Sequence, residues 1–228
     1  RHEILILCQG MLTALIPLVK EKISNIKVIA WQHNEYEIYV NQYYKRYIKN
    51  YLNGIKYADL VVSLTEDDQK RFGNINKNST YIYNPLTLSN RENKISKLSN
   101  RKIIFVSRLE IEQKGLDYLI KIGKSLKDDW KIFIAGEGKD KKKLMKMIKM
   151  NNLQEKIILC GALKSEELEE LYTSGSLFIS TSRWEGFGLV ITEAMLFGLP
   201  IISFNNRGPN EILKNGNYGI LIEKNNIN

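Results

Sequence analysis

Residues 184–195, WEGFGLVITEAM, combine a Gly-rich turn with an apolar helix, and residues 200–204, PIISF, follow as a short apolar strand. A turn, a helix and a buried strand in succession are typical of a parallel α/β sheet. The stretch also carries two carboxylates, Glu185 in the turn and Glu193 in the helix. This segment therefore bears on both the fold class and the chemistry of the chain.

The apolar surroundings of Glu193 make it informative, because it is the only charged residue between Gly186 and Asn205. A buried carboxylate is costly unless it is paired or hydrogen-bonded. We expect Glu193 to accept hydrogen bonds from a ligand's hydroxyls at the mouth of a cleft, with Glu185 nearby. Gly186 and Gly188 would let the backbone approach the ligand closely. The alternatives are a structural carboxylate that caps a loop, for Glu193, and an exposed turn residue, for Glu185.

Apolar blocks alternate with helical stretches along the whole chain, which predicts an α/β fold with parallel sheets. Residues 1–85 hold about four strands and are interpreted as a partial N-terminal Rossmann-like domain. Residues 86–101 are polar and are interpreted as a linker, and residues 102–228 form a nearly complete C-terminal Rossmann-like domain. The predicted strands are 4–8, 27–31, 60–64, 80–83, 102–106, 130–135, 156–160, 177–180, 200–204 and 219–222.

The composition of the 228 residues is that of a globular protein, with 43% hydrophobic and 26% charged residues. The formal net charge of +9 fits a phosphorylated substrate, an anionic membrane surface or nucleic acid. No recognised RNA-binding signature is present, and the absence of an Asp-x-Asp pair or a His/Cys cluster gives no indication of a catalytic metal. The two cysteines are expected to be reduced core residues, which indicates a cytoplasmic protein. The chain enters a strand directly after Arg1, so we expect an N-terminal segment to be missing.

Basic and glycine residues follow the first strands of the second domain. Arg108 comes after strand 102–106, and Lys114 lies at the next helix start, where side-chain charge and free backbone N–H groups together favour an anion such as a diphosphate. The alternative is that both are solvated surface residues. Gly136 begins a Gly-Glu-Gly turn that looks like a dinucleotide fingerprint, but Lys141 replaces its third glycine, so a simple tight turn is the alternative.

In the first segment, His33 follows the strand 27–31 and could hydrogen-bond a sugar hydroxyl or a phosphate, although a structural role is equally compatible with the sequence. Residues 37–56 are predicted to form one helix that interleaves tyrosines with Lys45, Arg46 and Lys49. Residues 140–150 are predicted to form a second basic amphipathic helix. Either helix could lie on anionic lipid, the alternative being a packed helix with a solvated Lys face.

In order, residues 107–109 (SRL), 113–115 (QKG), 136–138 (GEG) and the Glu185/Glu193 block resemble the landmarks of a known family. The chain is similar to the retaining GT-B glycosyltransferases of the fourth sequence family, the group 1 enzymes of capsule, exopolysaccharide and lipopolysaccharide synthesis. The resemblance spans nearly the whole chain and is most specific in the Glu185/Glu193 block. It implies two Rossmann-like domains and transfer of a sugar from a nucleoside-diphosphate sugar.

The resemblance assigns the nucleotide contacts to the second domain. Arg108 and Lys114 would hold the diphosphate, Glu193 would accept the ribose hydroxyls, and Gly136 and Leu163 would border the nucleotide. The contacts to the transferred sugar and its phosphates would come from Glu185, His33 and the backbone of Phe187, Gly188 and Leu189. Positioned cations and helix amides would then stabilise the departing diphosphate, with no cofactor or metal required.

The predicted function is transfer of a sugar from a nucleoside-diphosphate sugar to a glycan or lipid-linked acceptor, with retention of configuration. The resemblance implies UDP as the nucleotide, since it is the usual one in the family. The predicted location is the cytoplasm or the inner face of the membrane, and nucleic acid is not an expected partner. The resemblance also indicates truncation at both ends, so the fragment is expected to bind a nucleotide sugar but to transfer poorly. Two alternatives stay open, a binding module without turnover and a GT-B-like nucleotide-sugar epimerase.

Overall fold

The computed structural model describes residues 3–90, 92–127 and 129–223. The chain divides into two compact units. The first comprises residues 1–85 together with Glu185–Phe187, and the second comprises residues 86–184 and 188–228. Segment 86–101 is counted with the second unit, and its described residues form no helix or strand.

The first unit is built on a parallel sheet of four strands in the order β1-β2-β3-β4. The strands are β1 (Ile4–Cys8), β2 (Lys27–Trp31), β3 (Leu60–Ser63) and β4 (Ser79–Tyr81). The helices are α1 (Gly10–Thr13), α2 (Ile16–Lys22), α3 (Tyr36–Ile38), a π-helix (Tyr39–Tyr43), a 3₁₀-helix (Lys45–Tyr47), α4 (Ile48–Tyr57) and α5 (Glu66–Gly73).

Two helices predicted as continuous are broken in this unit, so those two predictions are wrong. The sequence pattern of residues 11–23 predicts one helix, but this segment divides into α1 and α2 because Pro17, in the first turn of α2, cannot donate a helical hydrogen bond. The predicted helix 37–56 passes through π and 3₁₀ turns. These turns let Tyr39, Tyr44 and Tyr51 pack together, with ring centroids 5.0–5.6 Å apart. Tertiary packing of the rings therefore overrides a regular helix.

The core of the first unit contains a buried polar chain as well as apolar side chains. Gln32 and Thr13 are fully buried, and Gln32 Nε2 donates to Thr13 Oγ1 over 3.0 Å. The hydroxyl of the buried Tyr51 donates to Gln32 Oε1, also over 3.0 Å. Each of these side chains has a partner, so the chain of hydrogen bonds links α1, the end of β2 and α4 without an uncompensated polar group.

The second unit has a parallel six-stranded sheet in the order β10-β9-β8-β5-β6-β7. The strands are β5 (Lys102–Val106), β6 (Lys131–Ala135), β7 (Ile157–Gly161), β8 (Leu177–Ser180), β9 (Ile201–Phe204) and β10 (Ile220–Ile222). The helices are α6 (Ile111–Lys114), α7 (Leu116–Ser125), α8 (Lys141–Met150), α9 (Ser165–Ser174), α10 (Leu189–Leu196) and α11 (Arg207–Ile212).

This strand order is that of a doubly wound sheet with its reversal between β5 and β8. Alternate residues of β5 face opposite layers, as the period of a strand requires. Ile103 and Phe105 pack in the core cluster that includes residues of α7 and α8. Ile104 packs with Tyr172 of α9 and Ile191 of α10. Helices thus cover both faces of the sheet, and the loops after β5 and β8 begin side by side.

Both cysteines are free thiols, as predicted, but only one of them contacts a core cluster. Cys160 is half-buried and packs against the cluster of Ile104 and Tyr172. Cys8 is exposed, so its prediction as a core residue is wrong. It lies on the edge strand β1, whose alternate residues are exposed, and an apolar run at a sheet edge is not buried on both faces.

We expect Tyr51→Phe to lower the free energy of unfolding by about 1–3 kcal/mol, because Gln32 Oε1 would lose its buried donor. Urea unfolding followed by circular dichroism measures the change. Tyr47→Phe is the matched control, since Tyr47 is 67% exposed and should tolerate loss of its hydroxyl. Equal unfolding midpoints for the two variants would contradict the importance of the buried chain.

Candidate functional site

The loop after β5 places one predicted cation in solvent and the other in the interior. Arg108 is exposed, and its guanidinium contacts Glu110 Oε1 at 3.1 Å and Gln113 Oε1 at 3.4 Å. Lys114, the last residue of α6, is only 8% exposed. The solvated-surface alternative is therefore wrong for Lys114. A buried ammonium next to the switch point of the sheet is the kind of group that recognises an anion.

Gly115 ends α6 in the left-handed conformation, with φ of 63°. A Cβ atom at this position would lie 2.0 Å from the carbonyl oxygen of Thr181. Only glycine satisfies both the backbone angle and this close approach. The turn that follows Lys114 therefore lies directly against the segment that leaves β8.

The Gly-Glu-Gly turn after β6 packs on the loop after β5. Gly136 has φ of 134°, and a Cβ there would lie 1.8 Å from the Ser107 carbonyl oxygen. The Leu109 N–H donates to the Glu137 carbonyl over 2.8 Å, and the Gly136 N–H donates to the Gly161 carbonyl over 2.7 Å. The turn thus connects the loops after β5, β6 and β7.

Leu163 lies at the end of the third of these loops, between β7 and α9. Its side chain is half-buried and packs on the core cluster that contains Tyr172 and Ile191. Gly136 and Leu163 therefore both lie beyond the carboxyl ends of strands, at the edge of the sheet where the loop of Arg108 and Lys114 also begins.

Helix α10 carries the buried carboxylate. Gly188 precedes it with φ of 103°, Leu189 is its first residue, and Glu193 is 7% exposed. Glu193 Oε1 accepts the hydroxyl of Thr87 at 3.2 Å, and Oε2 accepts the hydroxyl of Tyr172 at 2.9 Å. Burial and the adjacent carboxylate raise the pKa of Tyr172, so it stays protonated and donates. Because a carboxylate has about four acceptor positions, these two bonds orient Glu193 without exhausting it.

The sequence did not reveal either partner of Glu193. Thr87 falls in the segment interpreted as a linker, and Tyr172 is a single aromatic residue at the end of a polar helix. Their separations from Glu193, 106 and 21 residues, lie outside any local pattern. The only signal for them was indirect, since a buried carboxylate requires donors.

In the first unit, His33 lies just after β2. Its backbone N–H donates to the Tyr39 hydroxyl over 3.1 Å, and its ring stacks on Trp31 with centroids 6.0 Å apart. His33 is exposed, but partial burial of the imidazole lowers its pKa below 6.5 by desolvation. At neutral pH the imidazole is therefore uncharged and can both donate and accept a hydrogen bond.

Residues Glu185–Phe187 belong to the first unit by their contacts. The Glu185 N–H donates to Glu35 Oε1 over 2.9 Å, and Glu35 is 6% exposed. A Cβ at Gly186 would lie 2.6 Å from the His33 carbonyl oxygen, so this glycine also permits a close approach of two backbones. Phe187 is buried, with its ring 5.6 Å from that of Tyr83. Glu35 is a residue that the sequence reasoning missed.

The structure therefore brings the predicted residues together in two groups. His33, Glu185 and Phe187 lie in the first unit. The second unit holds the remaining seven predicted residues. These residues lie on loops beyond the carboxyl ends of strands or in the helices that follow; they are Arg108, Lys114, Gly136, Leu163, Gly188, Leu189 and Glu193.

Within the described residues, no three His, Cys, Asp or Glu side chains are grouped as a metal site would require. No helix in the described ranges has the length and apolarity needed to span a membrane.

A doubly wound second unit, a first unit with a parallel sheet and polar residues at the switch point define the GT-B class of fold. The chain aligns with the crystal structure of a S. aureus TarM mutant in complex with fondaparinux, alpha-GlcNAc-glycerol and UDP. The alignment covers 98% of this chain and 46% of that one, with a TM-score of 0.79 and 26% identity. The fold predicted from the sequence is thereby confirmed.

Residues 88–228 match the family of group 1 glycosyl transferases, and the chain belongs to that family. It is 33% identical over 211 residues to an uncharacterized glycosyltransferase of Haemophilus influenzae, covering 89% of this chain and 58% of the relative. It is 29% identical over 179 residues to the amylovoran biosynthesis glycosyltransferase AmsD of Erwinia amylovora, covering 75% and 50%. The chain thus spans about half the length of these curated relatives.

We expect the His33 imidazole to titrate below pH 6.5 in the folded protein, because desolvation lowers its pKa by disfavouring the charged form. The stability that depends on neutral His33 is present above pH 6.5 and is lost as the pH falls through the lowered pKa. Two-dimensional NMR of the ring protons measures the midpoint, and His2→Gln assigns the signals, since the sequence contains two histidines. A midpoint at or above 6.5 would contradict the desolvated setting.

Proposed function

We propose that this chain provides the sugar-nucleotide chemistry of a glycosyltransferase in surface polysaccharide synthesis. The donor is a nucleoside-diphosphate sugar with UDP as its nucleotide, the acceptor is a glycan or a lipid-linked sugar, and the configuration is retained. Membership of group 1 and the name of the amylovoran relative support the class of reaction. The TarM complex with UDP and alpha-GlcNAc-glycerol supports UDP as the nucleotide.

The observation that carries the proposal is the buried Lys114 at the switch point of the second sheet. Departure of UDP from a sugar builds negative charge on the β-phosphate, and a cation held in a low-dielectric setting stabilises that charge strongly. Arg108 is exposed on the same loop and adds a second cation. The proposed roles of Gly188 and Leu189 are backbone contacts to the phosphates at the start of α10.

Glu193 is proposed to bind the ribose through the acceptor positions that Thr87 and Tyr172 leave open. Gly136 and Leu163 are proposed to border the nucleotide. The proposed partner of Glu185, His33 and Phe187 is the transferred sugar, for which a neutral imidazole and a half-buried carboxylate supply hydrogen bonds. We propose that these groups act without a metal or other cofactor, and nucleic acid is not proposed as a partner.

Isothermal titration calorimetry with UDP tests these assignments. We expect Lys114→Ala and Glu193→Gln each to weaken UDP binding about tenfold, through loss of a charge-assisted hydrogen bond. In Glu193→Gln the preference for UDP over 2′-deoxy-UDP should also shrink. Glu155→Ala, an exposed glutamate on a turn, is the control. An unchanged affinity for UDP in both site variants would contradict the assigned roles.

A binding module without turnover is the second candidate, because the chain matches only part of each relative. Release of UDP from UDP-sugars, with and without acceptor, separates the two. UDP binding without any release favours the binding module. The epimerase alternative would need acid–base residues besides His33, and conversion of one UDP-sugar into its epimer would establish it.

The tyrosine-rich segment of the first unit supports a peripheral membrane location on the cytoplasmic side. Tyr39 and Tyr51 are buried in the core, whereas Tyr43 and Tyr47 are 47% and 67% exposed. Between and beside them Lys45, Arg46 and Lys49 are exposed. Exposed aromatic rings interleaved with cations suit the headgroup region of an anionic bilayer. We therefore propose residues 43–49 as the lipid contact.

Flotation with vesicles containing phosphatidylglycerol tests this contact. We expect the protein to float with these vesicles at low salt, and the triple variant Lys45→Glu, Arg46→Glu, Lys49→Glu to stay in the soluble fraction. The variant Lys142→Glu, Lys143→Glu, Lys146→Glu makes the same charge change on the exposed face of α8 and should still float. Equal loss in both variants would show that net charge alone, and not this segment, drives binding.

A further inference from the structure

Helix α6 is only four residues long, so it has few hydrogen bonds of its own. The carbonyl of Ile111 accepts an α-helical bond from the Gly115 N–H. The segment that leaves β8 supplies further donors. Arg183 Nη1 donates to the carbonyls of Ile111 and Glu112 over 3.2 and 3.0 Å. The Arg183 N–H donates to the Gln113 carbonyl over 2.8 Å, and Thr181 Oγ1 donates to the Lys114 carbonyl over 2.9 Å. Every carbonyl of α6 therefore has a donor from residues 181–183.

Arg183 is itself fixed in place by the first turn of α7. Its two terminal nitrogens contact the two carboxylate oxygens of Asp117 at 2.9 and 2.7 Å. Its guanidinium carbon lies 4.4 Å from the centre of the Tyr118 ring. A planar guanidinium can make this fork, reach two carbonyls and stack on a ring at once, whereas a lysine ammonium cannot.

These bonds support the backbone of Lys114 at the end of α6. A single helical turn is not stable alone, and the left-handed Gly115 follows it directly. The contacts with the segment 181–183 therefore help to fix the position of the Lys114 backbone. These contacts join the loops of β5 and β8, the two strands that flank the switch point.

We propose that Arg183 is a positioning residue that holds α6, and thereby the Lys114 ammonium, in the geometry that binds a diphosphate. Thr181 assists by fixing the Lys114 carbonyl. Arg183 acts through α6, because its guanidinium is engaged by Asp117 and by two α6 carbonyls. The inference rests on the proposed function, in which Lys114 binds the diphosphate of the donor. A preorganised cation binds more tightly than one that must be ordered on binding.

The test compares UDP with uridine, since the ratio of their dissociation constants isolates the contribution of the diphosphate. In Arg183→Met we expect UDP binding to weaken about tenfold while uridine binding stays within about twofold. UDP binding by Arg183→Lys should also be weakened, because lysine keeps the charge but cannot contact both carboxylate oxygens of Asp117 in the same way. Thr181→Val removes one hydroxyl donor to the Lys114 carbonyl and should weaken UDP binding to a lesser degree.

Arg101→Met is the matched control, since Arg101 forms an ion pair with Asp129 in the same unit, at the opposite end of β5. It should leave the UDP-to-uridine ratio unchanged. In the Lys114→Met background, Arg183→Met should have no further effect on UDP binding, because the cation that it positions is gone.

Several results would overturn the role of Arg183. One is an unchanged UDP-to-uridine ratio in Arg183→Met or, if that variant does not fold, in both Arg183→Lys and Thr181→Val. Another is a loss of UDP affinity that is equally large with and without Lys114. A purely structural role would lower the melting temperature but leave the ratio as it is. Absence of UDP binding by the unaltered chain would instead overturn the proposed function and the inference with it.

Discussion

The pairing of β5 with β8 is the constraint on which the chemistry of the second unit depends. The chain runs from β5 through β6 to β7 on one side and returns to β8 on the other. Connections on the two sides diverge, so the carboxyl ends of β5 and β8 face the opening between them. Residues 107–115 and 181–188 leave the sheet at this opening. Lys114 and the start of α10 owe their location to that one reversal of strand order.

Burial of charged groups at the opening costs free energy, and hydrogen bonds from the surrounding segments offset that cost. Lys114 and Glu193 are less than a tenth exposed, and charges in such settings need partners. Glu193 receives two hydroxyl donors, Thr87 and Tyr172, each of which can rotate its hydrogen toward a different acceptor. A site held by rotatable donors can accommodate a new hydroxyl from a ligand without leaving either oxygen unsatisfied.

Most of the fold could be predicted from the sequence, because the strands are continuous apolar runs and parallel sheets bury both faces. The six strands of the second unit fall within about a residue of their predicted ends. The breaks at α1–α2 and in the tyrosine-rich helix could not be placed. Local periodicity does not show that Tyr39, Tyr44 and Tyr51 pack on one another.

The candidate site was predictable in its residue types but not in its contacts. A carboxylate in an apolar helix and a lysine at a helix start are both visible in a one-dimensional pattern. The burial of Lys114, the carboxylate of Glu35 and the fork of Arg183 on Asp117 arise from residues far apart in sequence. The side chains that determine this geometry leave no local pattern in the sequence. They can be recognised only in the structure, where the strand order brings the loops together.

The glycines show why a motif is weaker evidence than the contacts behind it. At Gly115, Gly136 and Gly186 a Cβ would meet a backbone carbonyl of another segment, at 2.0, 1.8 and 2.6 Å. These glycines let loops cross one another, whether or not a ligand approaches. The packing of Gly136 on the β5 loop needs no third glycine after it, because the missing Cβ of Gly136 alone permits the close approach to Ser107. The proposed recognition of a ligand therefore depends on the side chains that these crossings bring to the opening, above all the buried Lys114 and Glu193.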